Sequence, residues 1–184
     1  YVKDLGTNTD LSIEVLSGLV FSSQAFTMML ASPLWGMVAD RFGRKLMVQR
    51  SMFGGAAILL LMAFVRSAEE LVLLRAIQGL ITGTVAAANA LVAAEAPRSR
   101  SGFAMGFLQT GLGSGLAVGP LIGGAVADAF GYNAAFYVTA AMLLLAGVMV
   151  HFGVHEMFTP PEKSNRASKN ILSTWKHILR APGV

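Results

Sequence analysis

A chain of 184 residues with 54% apolar and 13% charged side chains has too little polar surface to cover itself in water, which excludes an ordinary soluble domain. A net charge of +4 does not point to nucleic acid, because the basic residues sit in the gaps between apolar runs rather than along a face that tracks phosphates. With no cysteine, neither a disulfide framework nor a thiolate metal site is available. The composition fits an all-α, polytopic membrane helix bundle.

In chain order, five apolar runs approach or exceed the roughly 20 residues a helix needs to cross the hydrocarbon core. They lie at about 14–39, 46–66, 70–95, 101–127 and 130–152. Arg50 stands near the start of the second, where a long side chain can snorkel. Residues 1–153 thus read as a bundle, and 154–184 as the start of a polar loop. In that loop Pro160, Pro161 and a Ser/Asn/Lys mixture form a linker. At about 170–180, Ile171, Leu172, Trp175, Ile178 and Leu179 recur at helical spacing opposite Lys176, His177 and Arg180. Such a helix suits the membrane surface or the underside of the bundle.

Eleven of the fourteen Lys and Arg residues fall on one side of these spans, which makes that side, and the tail, cytoplasmic. An odd number of spans then puts Tyr1 outside. Nothing there resembles a signal peptide, so at least one earlier helix is expected upstream.

Between the first two runs lies a charged knot, GMVADRFGRK at 36–45. Gly36 lets helices approach, Asp40 and Arg44 are four apart and pair if the helix persists, and Gly43 supplies freedom to turn. A purely topogenic loop accounts for these charges equally well. Glu95, at the cytoplasmic end of the third run, faces the same side of the membrane as Arg44.

Inside the third run, Arg75 costs about 2.5 to 3.5 kcal/mol on insertion scales and faces either a cavity or the interface. Arg75, Gln78, Gly79, Thr82, Ala86 and Asn89 form one narrow face of a continuous helix, which favours the cavity. In the fourth run, Gly111, Gly115, Gly119 and Gly123 recur every four residues beside Pro120 and Gly124. That groove serves close helix packing, and Pro120 bends the helix beside it. Gln24 and Gln109 either line the cavity or bond a neighbouring helix. Met28, Met29, Met52 and Met105 read as gap fillers. His151 and His155 have no third ligand at metal spacing, and the chain contains neither HExxH nor a phosphate-binding glycine loop.

The run Gly36, Asp40, Arg41, Gly43, Arg44, Lys45 resembles, position for position, the GxxxDRxGRK signature of major facilitator superfamily transporters. LVLLRAIQG at 71–79 is similar to that family's fourth-helix motif through Arg75, Gln78 and Gly79, although Ile81 replaces an expected glycine. GLAVGPLIGG at 115–124 matches the fifth-helix motif of its drug:proton antiporters, in Gly115, Gly119, Pro120, Gly123 and Gly124. The resemblance implies helices two to six of a twelve-helix transporter, with the first helix and the second half lying outside this stretch. It implies proton-coupled efflux of drug-like amphiphiles across a bacterial inner membrane by alternating access, with no cofactor or metal, and with lipid, protons and a small-molecule substrate as partners. It also implies conformational gating by the 36–45 loop and Glu95, with Asp40, Arg44 and Glu95 in one charge cluster, and proton coupling through Arg75, Gln78 and Gly79; the polar positions Gln24, Thr82, Asn89 and Gln109 are candidates for lining the cavity. A facilitator or symporter for sugars or metabolites, a non-transporting scaffold or sensor, and an intramembrane enzyme are the alternatives, the last lacking any nucleophile and base pair.

Overall fold

The computed structural model describes residues 2–7, 9 and 11–156, and among these the regular structure is helical throughout. A single turn, α1 (Val2–Leu5), precedes α2 (Ile13–Phe42), α3 (Arg44–Met62), α4 (Ala68–Ile81), α5 (Thr84–Glu95), α6 (Ser101–Phe130) and α7 (Tyr132–Gly153). Among the described residues, five stretches are long and apolar enough to cross a membrane, with α4 and α5 counting as one from Ala68 to Glu95. The surface amphipathic helix expected at 170–180 lies outside the described residues.

Local chemistry sets several helix starts. Ser12 caps α2 by accepting from the Val15 amide. At α4, Ser67 accepts from the Glu70 amide while the Glu70 carboxylate accepts from the Arg66 amide, a reciprocal cap that satisfies two donors. Between α2 and α3 the connection is one residue, Gly43, at φ +96° and ψ 156°, where a side chain would be strained.

The expected third span is not one continuous helix. Thr82 is extended, Gly83 takes φ +139°, and a new helix starts at Thr84. Thr82 closes α4 with both its amide and its hydroxyl on the Gln78 carbonyl. The Leu80 carbonyl accepts instead from the Trp35 indole Nε1 at 2.6 Å. A break at membrane depth needs such substitute partners, since lipid offers none.

The closest packing is α2 on α4 and α3 on α7, with α3 also against α5 and α6 against α7. Val20, Ala56, Ile58, Leu59, Met62, Leu71 and Ala140 form the buried core. Outward positions are as apolar as the core: Phe103, Leu116, Leu121 and Phe152 are 72 to 81% exposed. This inside-out balance suits hydrocarbon as the surrounding solvent.

Candidate functional site

Arg75 projects from α4 towards α2. Its Nη1 donates to Gln24 Oε1 at 3.3 Å and to Gln78 Oε1 at 3.2 Å, while its buried Nε has no acceptor. Two neutral amide oxygens hold the cation in place without cancelling its charge. The helices meet closely here. Ser23 donates to the Val72 carbonyl at 3.4 Å and Thr27 Oγ1 to the Ala76 carbonyl at 2.8 Å. A Cβ on Gly79 would collide with Thr27 Oγ1 and the Gln24 carbonyl, so only glycine allows α2 this near. Arg75, Gln78, Gly79 and Gln24 therefore form one assembly, with Gln78 and Gly79 buried and a free guanidinium donor at its centre.

The other polar side chains do not extend this assembly as one stripe. The break at Thr82–Gly83 ends the helical register that would have carried it to Asn89. Asn89 Oδ1 instead accepts from Gln109 Nε2 at 3.2 Å, joining α5 to α6. Thr82 spends its hydroxyl on its own helix.

At the loop, Asp40 and Arg41 lie within α2, and the turn is confined to Gly43. Asp40, Arg44 and Glu95 form no ion pair with one another in this structure. For Asp40 and Arg44 the reason is geometric, because the Gly43 break ends the helix that the four-residue spacing requires. A different acid occupies the loop. Glu156, just beyond α7, accepts from the Arg44 amide at 2.7 Å and from the Lys45 amide at 2.8 Å, capping α3 through its two oxygens. Lys45 Nζ donates to the His151 carbonyl at 2.8 Å, and Gln49 Nε2 lies 3.0 Å from His151 Nδ1. Sequence reasoning missed Glu156, whose partner is over 110 positions away. No local spacing signals such a contact.

Gly36 was expected to bring helices together, yet nothing stands within 4 Å of a Cβ built there; it forms instead the wall of a cleft. The same open space surrounds Gly111, Gly115, Gly119, Gly123 and Gly124, and α6 has no buried residue. The glycine groove, with Pro120 inside the helix, thus serves no packing among the described residues. No group of three or more potential metal ligands occurs among them.

These features, a bundle of membrane-length helices with a half-buried cation between two of them and a one-residue turn in a charged loop, place the chain in a known class. The model of the Major Facilitator Superfamily matches residues 2–184, and the chain belongs to that family of transporters and is a multi-pass membrane protein. It is similar to proteins called multidrug resistance protein MdtG. It is 45% identical to that of Serratia proteamaculans over 90% of this chain and 40% of the relative. To that of a Rahnella species it is 41% identical over 96% and 43%, and to that of Yersinia enterocolitica 43% over 97% and 44%. The chain spans less than half the length of these curated relatives.

Proposed function

We propose that this chain is the front part of a secondary transporter that exports drug-like amphiphilic molecules across the bacterial inner membrane in exchange for protons. The observation that carries the reading is Arg75, a guanidinium within a membrane-length helix, oriented by Gln24 and Gln78 and left with a free Nε donor. An intramembrane cation held by neutral groups is ready to receive a carboxylate. Arginine cannot itself release a proton, so the carboxylate titrates: when deprotonated it pairs with Arg75, and when protonated it is released. Exchange of the two states biases one conformation over the other. Export rather than uptake is supported by the 115–124 motif and by the name multidrug resistance protein carried by the relatives.

Gating is assigned to Gly36, Asp40, Arg41, Gly43, Arg44, Lys45 and Glu95 at the cytoplasmic ends of α2, α3 and α5. Proton coupling is assigned to Arg75, Gln78 and Gly79. The bare face of α6, with Gly115, Gly119, Pro120, Gly123 and Gly124, is assigned to contact with the rest of the transporter during alternating access. The positive-inside count supports a cytoplasmic tail. The test uses the full-length protein in everted vesicles carrying a preformed proton gradient. Adding a transported compound should dissipate the gradient, and Arg75→Gln should abolish the response while the protein still inserts. A response unchanged in Arg75→Gln would refute the coupling role.

A further inference from the structure

A second cation lies outside the Arg75 assembly. Arg50, six residues into α3, stacks its guanidinium on the Trp35 ring at 3.3 Å from the centroid. Its Nε and Nη1 are buried without a hydrogen-bond partner. Trp35 is fixed from behind by its bond to the Leu80 carbonyl at the helix break. The aromatic ring thus takes the flat face of the guanidinium and leaves its edge donors unused. Arg50 lines a cleft of about 470 Å³ between α2, α3 and the α4–α5 junction. Neither Arg75 nor Gln24 lines it. The walls are mainly apolar, with Met28, Met29, Pro33 and Met47 prominent, and the remaining charge is Arg44; no Asp or Glu contributes.

We infer that this cleft binds an amphiphile with an oxyanion headgroup, its carboxylate or phosphate seated on the edge of Arg50 and its apolar body against Met28, Met29, Pro33 and Met47. Four physical points converge. Desolvated guanidinium donors are costly unless an acceptor arrives, and the arginine fork matches a carboxylate or phosphate through two parallel bonds. A volume of this size takes a drug-sized or single-chain amphiphile. Two cations and no acid in the lining select against a cationic headgroup. A broken helix beside the cleft fits the pattern of transporter helices interrupted where they line a binding site. The inference concerns equilibrium binding and stands apart from proton coupling.

The test uses full-length protein in phosphatidylcholine nanodiscs with Trp35 as its sole tryptophan. A bromine-tailed fatty acid quenches an indole only on contact, and the matching bromine-tailed alcohol controls for partition into the bilayer. The acid should quench Trp35 saturably, at a concentration at least about tenfold below the alcohol, since a hydrogen bond to a charged group has that worth. Arg50→Gln should erase the difference, and Arg50→Lys should retain part of it. Ala86→Leu fills the cleft and leaves Arg50 intact, so it should weaken the acid even if Arg50→Gln fails to fold. Brominated phosphatidylglycerol placed in the disc tests the lipid source: quenching there that blocks the free acid assigns the headgroup to a membrane phosphate, and its absence assigns it to a solute. Equal quenching by acid and alcohol, or an acid response unmoved by both Arg50→Gln and Ala86→Leu, overturns the inference.

Discussion

Gly79→Ala is the sharpest probe of how α2 and α4 hold the Arg75 assembly. The added methyl would strike Thr27 Oγ1 and the Gln24 carbonyl. Thr27 is held by the Ala76 carbonyl, and the carbonyl of Gln24 is backbone, so neither can swing aside as a flexible chain end would. The helices must part instead. Overpacking of this kind costs about 1 to 3 kcal/mol, roughly a 5- to 150-fold loss in the folding equilibrium. Separation also stretches the contact between Arg75 Nη1 and Gln24 Oε1, which at 3.3 Å has little length to spare before it ceases to be a hydrogen bond. Stability and coupling should therefore fall together. The controls are Gly36→Ala and Gly115→Ala, where a Cβ meets nothing within 4 Å. Thermal unfolding of the full-length protein in detergent should rank Gly79→Ala well below both controls. If Gly79→Ala melts with the wild type, the close approach of α2 and α4 is not what this glycine secures.

Three further substitutions address other parts of the fold. Glu156→Ala removes the cap on α3 and should cost about 0.5 to 2 kcal/mol; the Arg44 and Lys45 amides should then exchange with deuterium faster, and unchanged protection would refute the cap. Gly43→Ala forces a side chain into φ +96° and should destabilise by about 1 kcal/mol, read as a lower melting temperature with the loop charges intact. Trp35→Phe keeps a ring beneath Arg50 but leaves the Leu80 carbonyl without its donor, at a cost of about 1 to 3 kcal/mol. The amides of α4's last turn should exchange faster in that variant, and equal exchange would count against the bracing role of the indole.

Apolar run length was enough to read the helical bundle from the sequence, because lipid makes length and hydropathy the dominant constraint. The Arg75 neighbourhood was half legible. Gln78 follows Arg75 by three positions on one helix face, whereas Gln24 comes from another helix 51 residues away and its pairing needs the α2–α4 packing. Asn89 shows the limit of periodicity: extrapolated through an unbroken helix it belongs with Arg75, but the Thr82–Gly83 break sends it to Gln109. Thr and Gly in a span are tolerated often enough that their presence did not announce a break. Glu156 and the edge of Arg50 were hidden for the same reason, since what matters in each is a partner, or the lack of one, decided by tertiary packing.

One tryptophan joins the broken helix to the second cation. Were α4 and α5 continuous, the Leu80 carbonyl would accept from an amide four residues on, and the Trp35 indole would need another acceptor. The break frees that carbonyl, the carbonyl fixes the indole, and the indole fixes the plane of Arg50. A change in the angle between α4 and α5 would therefore move Arg50 and alter the cleft without any direct contact between the cation and the break. This yields a prediction distinct from the binding test. Replacing Gly83, held at φ +139°, by alanine should redirect the junction and change Trp35 emission in the full-length protein with no ligand present. An emission spectrum identical to the wild type would show that the indole is held by α2 alone and that the chain from break to cation is not mechanically connected.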